Sequence, residues 1–247
     1  MRMKEPRGPR GFFKKRKCVS MRENVIETIK KEKLIAIVRG IAPEKCLKVA
    51  GALYAGGFRL VEITFDQKNP ESWETTAAAI KAVSEAYSGT MEVGAGTVTS
   101  VKLVELAASA GAKYIISPDT NIDVIKRTRE LGLVSMPGAL TPTEILTAYN
   151  NGADFVKLFP IANLGPAYVK AVRAPISYVP MMAVGGVNET NLREYLDLGM
   201  CGAGIGGNLV NKKWVENGEF EKMLIDLTQH ATRYSDSSGQ AQEYLIA

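Results

Sequence analysis

One pattern restricts this chain more than any other: short, β-prone apolar runs alternate with amphipathic stretches along nearly its whole length. The runs are LIAIV at 34–38, RLVEIT at 59–64, MEVGA at 91–95, KYIIS at 113–117, LVSMP at 133–137, FVKLF at 155–159, VPMMAV at 179–184 and GAGI at 202–205. Most are apolar at consecutive positions, as expected of parallel strands covered on both faces. The stretches between them carry helix boundaries. Residues 43–57 open with Pro43 and end in a glycine pair, which puts proline in a first turn and glycine past a last one. Residues 100–112 start at Ser100, a capping residue, and close at Gly111, a helix-ending glycine. Thr141 and Glu144 have capping-box spacing at the head of 141–153. A helical stretch at 188–200 ends at Gly199, and helices over 21–32 and 218–234 flank the array.

Eight βα units in a chain of 247 residues, 46% of them hydrophobic, predict an α/β protein: a (β/α)8 TIM barrel with an N-terminal helix, filling residues 21–247 as one domain. An open doubly wound sheet is the competing architecture. The count of eight and the lack of a GxGxxG after the first run weigh against it.

Charge and cysteine usage narrow the function classes. The net charge of +5 is the sum of +7 on residues 1–20, with eight Lys or Arg and one Glu, and −2 on the remainder. The body is therefore not basic, and the excess sits in an N-terminal segment that reads as a disordered extension or, alternatively, as a nucleic-acid or anionic-membrane arm. No apolar run approaches the roughly 18 residues of a membrane span. Cys18, Cys46 and Cys201 are too few and too scattered for a disulfide framework or a zinc site, and a reducing, cytoplasmic setting is expected. The single histidine, His230, falls in the C-terminal helical stretch, which argues against a Ser-His-Asp triad or a histidine metal site.

In a barrel of this kind the site is built at the C-terminal ends of the strands, and the polar residues of the runs gather there. Arg39 follows the first run, Glu62 and Thr64 lie in the second, and Thr97 follows the third through Gly-Ala-Gly. The seventh and eighth runs lead into Gly185-Gly186 and Gly206-Gly207. Loops after these two strands commonly bind phosphate, because glycine lets backbone N–H groups approach an anion. Asn188 is positioned to cap the following helix, whose N-terminus would add a favourable dipole. Tight turns requiring positive φ would select the same glycines. Glu62, between Val61 and Ile63, and Lys157, between Val156 and Leu158, are charges inside greasy strands. They are either a buried salt bridge, with Arg39 as a further partner, or a reactive pair. A desolvated lysine loses preference for its charged form, and its neutral amine attacks carbonyls. With Glu62 to move protons, the pair points to Schiff-base chemistry.

IVRGI at 37–41, GGFRLVEIT at 56–64, GAGTV at 94–98, IISP at 115–118, MPGALTPTE at 136–144, VKLFP at 156–160, LGPAYVKA at 164–171, VGGV at 184–187 and GIGGNLV at 204–210 occur in this order. Together they resemble the 2-keto-3-deoxy-6-phosphogluconate / 4-hydroxy-2-oxoglutarate aldolase family over residues 24–235. The resemblance implies a homotrimeric barrel lyase that needs no metal and no cofactor. It would split a phosphorylated 2-keto-3-deoxy sugar acid to pyruvate and D-glyceraldehyde 3-phosphate. It implies Lys157 as the Schiff-base lysine and Glu62 as the general acid/base. Thr97 and Pro118 would line the pyruvate end, Arg39 would sit near the substrate carboxylate, and Gly185, Gly186, Gly206 and Gly207 would form the phosphate loops. Four residues depart from gluconate-type members: Asp66 stands where they often have arginine, Ala183-Val184 replaces Pro-Thr, and Asn208 replaces a frequent serine. Ala183-Val184 looks more like the branch acting on 6-phosphogalactonate, the carbon-4 epimer, which makes Val184 a candidate for reading that carbon.

Two other functions fit parts of the same pattern. A phosphate-binding barrel isomerase or epimerase would use Glu62 as a base and Lys157 as an electrostatic clamp, without a covalent adduct. A nucleic-acid-binding protein would work through residues 1–20, against the −2 charge of the body.

Overall fold

A computed structural model describes residues 20–238, with side chains described to residue 229. The basic extension apart from Ser20, Cys18 and the His230 side chain lie outside the described residues. The strands are β1 (Leu34–Val38), β2 (Leu60–Thr64), β3 (Glu92–Gly96), β4 (Tyr114–Ile116), β5 (Val134–Met136), β6 (Gly138–Ala139), β7 (Val156–Leu158), β8 (Met181–Val184) and β9 (Gly202–Ile205). All pair in parallel, in the order β5-β4-β3-β2-β1-β9-β8-β7-β6. The two ends of that order are consecutive in the chain. β5 and β6 are one barrel position interrupted at Pro137, which has no N–H to give a ladder. The carbonyls keep the seam closed: Pro137 accepts from Lys157 N–H at 2.8 Å, Ala139 from Phe159 N–H at 3.0 Å, and Met136 from Ser117 N–H at 3.2 Å. The chain is therefore an eight-position (β/α)8 barrel.

The helices are α1 (Met21–Glu32), α2 (Pro43–Ala55), α3 (Trp73–Ala86), α4 (Val101–Ser109), α5 (Ile122–Glu130), α6 (Pro142–Asn150), α7 (Gly165–Ile176), α8 (Leu192–Asp197), α9 (Lys212–Asn217) and α10 (Phe220–Ser238). Ser100 caps α4 through Leu103 N–H, and Thr141 and Glu144 form the capping box of α6. The expected C-terminal helix is two helices, because Gly218 adopts φ 76° and turns the chain between α9 and α10. The stretch read as a helix at 188–200 is helical only from Leu192 to Asp197.

Period-two alternation divides the buried residues into two cores. Outward-facing residues such as Val61, Ile63, Val156 and Leu158 pack beneath the helices. Inside the barrel, Ile35, Leu60, Tyr114, Val134, Phe155 and Met182 form one layer with Val25 and Ile29 of α1. These residues sit at or near the N-terminal ends of their strands, so α1 plugs that end. Each such aliphatic side chain, fully buried, contributes about 1.5–3 kcal/mol. Ser20 and Glu23 close a capping box at the start of α1, so Ser20 belongs to the barrel and not to the extension. Asp154 fastens α1 from below, accepting from Arg22, from Arg129 Nη1 at 2.9 Å and from Ser135 N–H at 2.9 Å. With α1 packed into the N-terminal end, the cavity among the described residues that reaches Lys157 lies toward the C-terminal ends of the strands.

Candidate active site

One step along the strands from the apolar layer, the inward positions change character. Lys157 lies opposite Gly138 and Met182 in the ladder, and Glu62 opposite Ile37 and Gly94. Both point inward because their neighbours point out into the helix layer. Both are buried, Lys157 at 3% and Glu62 at 1% exposure. Lys157 Nζ stands 4.6 Å from the centroid of the Phe159 ring, two residues further along the chain.

Two glycines make room for this layer. A Cβ at Gly96 would overlap the Glu62 carboxylate, and one at Gly94 would overlap the Tyr114 ring. Tyr114 is fully buried and donates its hydroxyl to Val61 O at 2.7 Å. It forms a dry floor near Glu62, and its own ionisation is pushed well up by burial, then by Glu62 and Glu92.

The salt bridge expected as one alternative is not formed. Among the described residues Glu62 Oε1 has no hydrogen-bond partner, and no ion pair joins Glu62 to Lys157 or Arg39. The groups act on one another across space. Burial pushes the Glu62 carboxyl above its ordinary range, with Lys157 and then Arg39 pulling the other way. Burial pushes the Lys157 ammonium below its ordinary range, Glu62 opposes this and Arg39 adds to it. Both groups are moved toward their neutral forms, as expected when desolvation outweighs an attraction that no hydrogen bond reinforces.

Above them lies a cavity of ≈ 550 Å³ lined by Arg39, Thr97, Pro118, Lys157, Val184 and both glycine pairs, together with Ile37, Phe159, Val187, Gly204 and Asn208. It is larger than two hollows of ≈ 270 and ≈ 250 Å³ that share Gly89, Met91 and Glu92 at the other end of the barrel. The structure thus gathers Arg39, Thr97, Pro118, Lys157, Val184, Asn208 and both glycine pairs on one cavity, with Glu62 buried against Gly96, while Thr64, Asp66, Ala183 and Asn188 are not among the lining residues. Arg39 Nη2 donates to Thr97 Oγ1 at 3.2 Å, bringing the ends of β1 and β3 together. Thr97 itself has φ 58°, a left-handed conformation that costs a β-branched residue on the order of 1–3 kcal/mol.

The glycine pairs differ. Gly185 and Gly186 have φ 92° and 84°, and a Cβ at Gly186 would stand 3.1 Å from Ala162 Cα, so a tight turn accounts for them. No such demand acts on Gly207. Its φ is ordinary, and a Cβ there would meet nothing within 4 Å. Gly206 has likewise an ordinary φ and only loose contacts, the nearest at 3.8 Å. Both loops line the cavity through Gly185, Gly186, Gly206, Gly207 and Asn208, so both bring backbone to it. Asn208 Nδ2 reaches Val187 O at 3.5 Å and links the loops.

One sequence expectation is corrected here. Asn188 does not cap α8 directly: its side chain takes Thr190 N–H at 2.9 Å in a turn, and α8 begins at Leu192 behind Asn191. Asn191 braces the loop, donating to Gly186 O at 2.9 Å. Asp66 does not line the cavity. Its carboxylate accepts from Lys68 N–H at 2.9 Å and its carbonyl from Trp73 Nε1 at 2.9 Å, so it shapes the turn after β2. Other residues at the site were not singled out from the sequence. Phe159 and Gly204 are two positions from Lys157 and Gly206, and period-two counting would have found them. Ile37 and Val187 are ordinary apolar residues by sequence, and neither Tyr114 nor Gln67, which donates to Thr97 O at 2.7 Å, carries a sequence signal. Among the described residues no three His, Cys, Asp or Glu come together as a metal-binding group, and no helix is long and apolar enough to cross a membrane.

Comparison with known proteins bears on the family. Residues 25–225 match the family model described as KDPG and KHG aldolase, where KDPG is 2-keto-3-deoxy-6-phosphogluconate and KHG is 2-keto-4-hydroxyglutarate. The chain is 40% identical over 177 residues, 71% of its own length and 83% of the relative's, to the 2-dehydro-3-deoxy-6-phosphogalactonate aldolase of Escherichia coli K12. It is 32% identical over 184 residues, covering 73% and 82%, to the KHG/KDPG aldolase of the same organism. A solved structure described as native KDPGal superposes with a TM-score of 0.74 at 35% identity, covering 83% of this chain and 96% of that one. With the family model matched over residues 25–225 and a relative 40% identical over 71% of its length, the chain belongs to the KDPG and KHG aldolase family of aldehyde-lyases.

Proposed function

We propose that the chain is a Schiff-base aldolase that cleaves a phosphorylated 2-keto-3-deoxy sugar acid to pyruvate and D-glyceraldehyde 3-phosphate. The observation that carries this reading is Lys157: an amine 3% exposed at the wall of an open cavity, with burial favouring its neutral, nucleophilic form. The neutral amine attacks carbon 2 of the keto acid and a carbinolamine forms. Loss of water gives an iminium, which is an electron sink. Glu62, raised toward its protonated form by burial, exchanges protons in this dehydration, directly or through a water, as positioned carboxyls do. Removal of the carbon-4 hydroxyl proton then breaks the bond between carbons 3 and 4. The electron pair moves into the iminium, the aldehyde leaves, and an enamine of pyruvate remains on Lys157. Protonation at carbon 3 and addition of the water lost earlier release pyruvate and the free amine. Arg39 and Thr97 hold the carboxylate end, Pro118 lines it, and the N–H groups of Gly185, Gly186 and Gly207 take the phosphate.

We assign the 6-phosphogalactonate epimer as the preferred substrate, supported by the valine at 184 and by the 40% identity to a relative named for that substrate. The 6-phosphogluconate epimer and 4-hydroxy-2-oxoglutarate are the secondary candidates, and the working particle is read as a homotrimer. Borohydride reduction in the presence of pyruvate, followed by peptide mapping, tests the chemistry. One reduced pyruvyl group on Lys157, absent from Lys157→Met, is expected. Full turnover with no adduct would favour the isomerase-like use of Glu62 and Lys157 as base and clamp.

A further inference from the structure

Thr97 is the least comfortable residue at the cavity. It follows Gly96, whose missing side chain admits the Glu62 carboxylate, and it holds φ 58° although it is β-branched. An L-residue of this kind stays in the left-handed region only where its surroundings over-determine it. Two contacts do so. Thr97 Oγ1 accepts from Arg39 Nη2 at 3.2 Å, and Thr97 O accepts from Gln67 Nε2 at 2.7 Å. The first lies at the cavity and links two of its lining residues. The second comes from outside, from the turn after β2, and Gln67 is absent from the cavity wall. Gln67 is itself held: its Oε1 accepts from Thr99 Oγ1 at 3.1 Å. The amide thus spans the loop, giving its N–H to the carbonyl on one side of Val98 and taking a hydroxyl on the other.

The consequence is directional. Gln67 on the carbonyl and Ile116 O on the Val98 N–H together hold the Thr97–Val98 peptide, and with the backbone so held the Thr97 hydroxyl stays within reach of Arg39. Without the tie, Thr97 relaxes toward the extended region that β-branched residues favour. The hydroxyl then swings away from the cavity, and Arg39 loses the acceptor that holds its guanidinium over the Lys157 end.

We propose that Gln67 is a positioning residue, a latch that holds Thr97 left-handed so that Thr97 and Arg39 together receive the carboxylate of the keto acid. The assignment rests on the reading of this cavity as the keto-acid site. It is tested without reference to covalent chemistry by titrating the full-length protein with pyruvate in a calorimeter. Gln67→Leu keeps the bulk and removes both hydrogen bonds. Its pyruvate Kd and its KM for the phosphorylated keto acid should rise about tenfold, the equivalent of one good hydrogen bond, with kcat changed less than about threefold and Tm nearly unchanged, since released strain offsets the lost bonds.

Gln67→Glu supplies a readout that a purely structural role would not move. As a carboxylate it faces the Thr97 carbonyl without a proton to give, and as a carboxylic acid it donates again. The affinity of Gln67→Glu relative to wild type should therefore recover as pH is lowered. In a Thr97→Gly background, where the hydroxyl is already gone, Gln67→Leu should add less than about a twofold loss. A wild-type Kd in Gln67→Leu, fully additive losses with Thr97→Gly, or a fall in Tm with equal losses in kcat and KM would each overturn the latch. Borohydride trapping on the same samples keeps the two readings apart. Wild-type protein that binds pyruvate but forms no adduct refutes the Schiff base and leaves the latch judged by the calorimetry.

Discussion

Lys157→Met should make the protein inactive and more stable. Lys157 is 3% exposed, makes no ion pair among the described residues, and has its ammonium disfavoured chiefly by burial. A buried polar group left without its full complement of partners costs about 1–3 kcal/mol. Methionine follows the same unbranched path at similar volume. Its sulfur contact with Phe159, about 0.3–1.5 kcal/mol, replaces most of a cation–π contact of about 0.5–2 kcal/mol. The net gain near neutral pH is about 1–2 kcal/mol. In a chain of this size that is a rise in Tm of about 2–8 °C.

The pH dependence fixes the cause. Below the depressed folded pKa of Lys157, the folded and unfolded states both hold the proton and the whole penalty stands. Between that value and the ordinary 10.5, the folded protein has released the proton and the unfolded chain has not. The unfolded state then binds more protons, and wild-type stability rises with pH. The gap between variant and wild type should therefore be widest below the folded pKa and close as pH climbs toward 10.5. Glu62, raised above 4.5, has the opposite slope: between 4.5 and its folded value the folded state holds the extra proton. Removing Lys157 would push it further, so the comparison is also made in a Glu62→Gln background. Calorimetric melts from about pH 6 to about pH 10 read the result. A methionine variant that melts below wild type throughout, or a gap that does not narrow, would mean that Lys157 is a stabilising ion and that the desolvation argument is wrong.

Glu62→Gln keeps the shape and removes the titrating group, so cleavage should fall by about 10²–10⁴; a loss under tenfold in a steady-state assay of pyruvate release would move the proton transfer elsewhere. Gly207→Ala puts a methyl where nothing lies within 4 Å and φ is ordinary. It should leave Tm and pyruvate trapping unchanged while raising KM for the phosphorylated substrate, and an equal effect on pyruvate would contradict the phosphate assignment. Val184→Thr should shift the ratio of kcat/KM from the galactonate toward the gluconate epimer by roughly 1–2 kcal/mol, the worth of one hydrogen bond, with the two epimers assayed side by side. An unchanged ratio would pass the reading of carbon 4 to Asn208 or another residue.

The fold was legible because a barrel strand covered on both faces writes itself as an uninterrupted apolar run, and eight such runs leave few architectures. Boundaries were less legible where tertiary contacts decide them. Pro137 reads as the end of a strand, yet the chain passes it and continues as Gly138–Ala139 because the Pro137 carbonyl still holds Lys157 N–H. Asn188 has the composition of a helix cap, yet its side chain is spent on Thr190 and the helix starts a turn later. Ser20 looked like the last residue of a charged extension, and only the Glu23 side chain reaching back to its N–H reveals it as a cap. In each case the partner that decides the boundary lay where sequence alone does not point.

At the site, what was legible is what breaks a rule. Lys157 and Glu62 stood out because charges do not belong in apolar strands, and both are buried as that anomaly required. Glycine is harder, since one letter covers three unrelated demands. Gly94 and Gly96 are small because Tyr114 and Glu62 need the space. Gly185 and Gly186 are flexible because the turn after β8 needs positive φ. Gly207 answers to neither demand, and Gly206 hardly more, although both line the cavity with Lys157. A glycine that the fold does not require, placed where a ligand must approach the backbone, is the one whose identity is set by the ligand. That distinction bears more on the proposed phosphate loop than the count of glycine pairs, because it separates the glycines that turns and neighbours require from those that they do not.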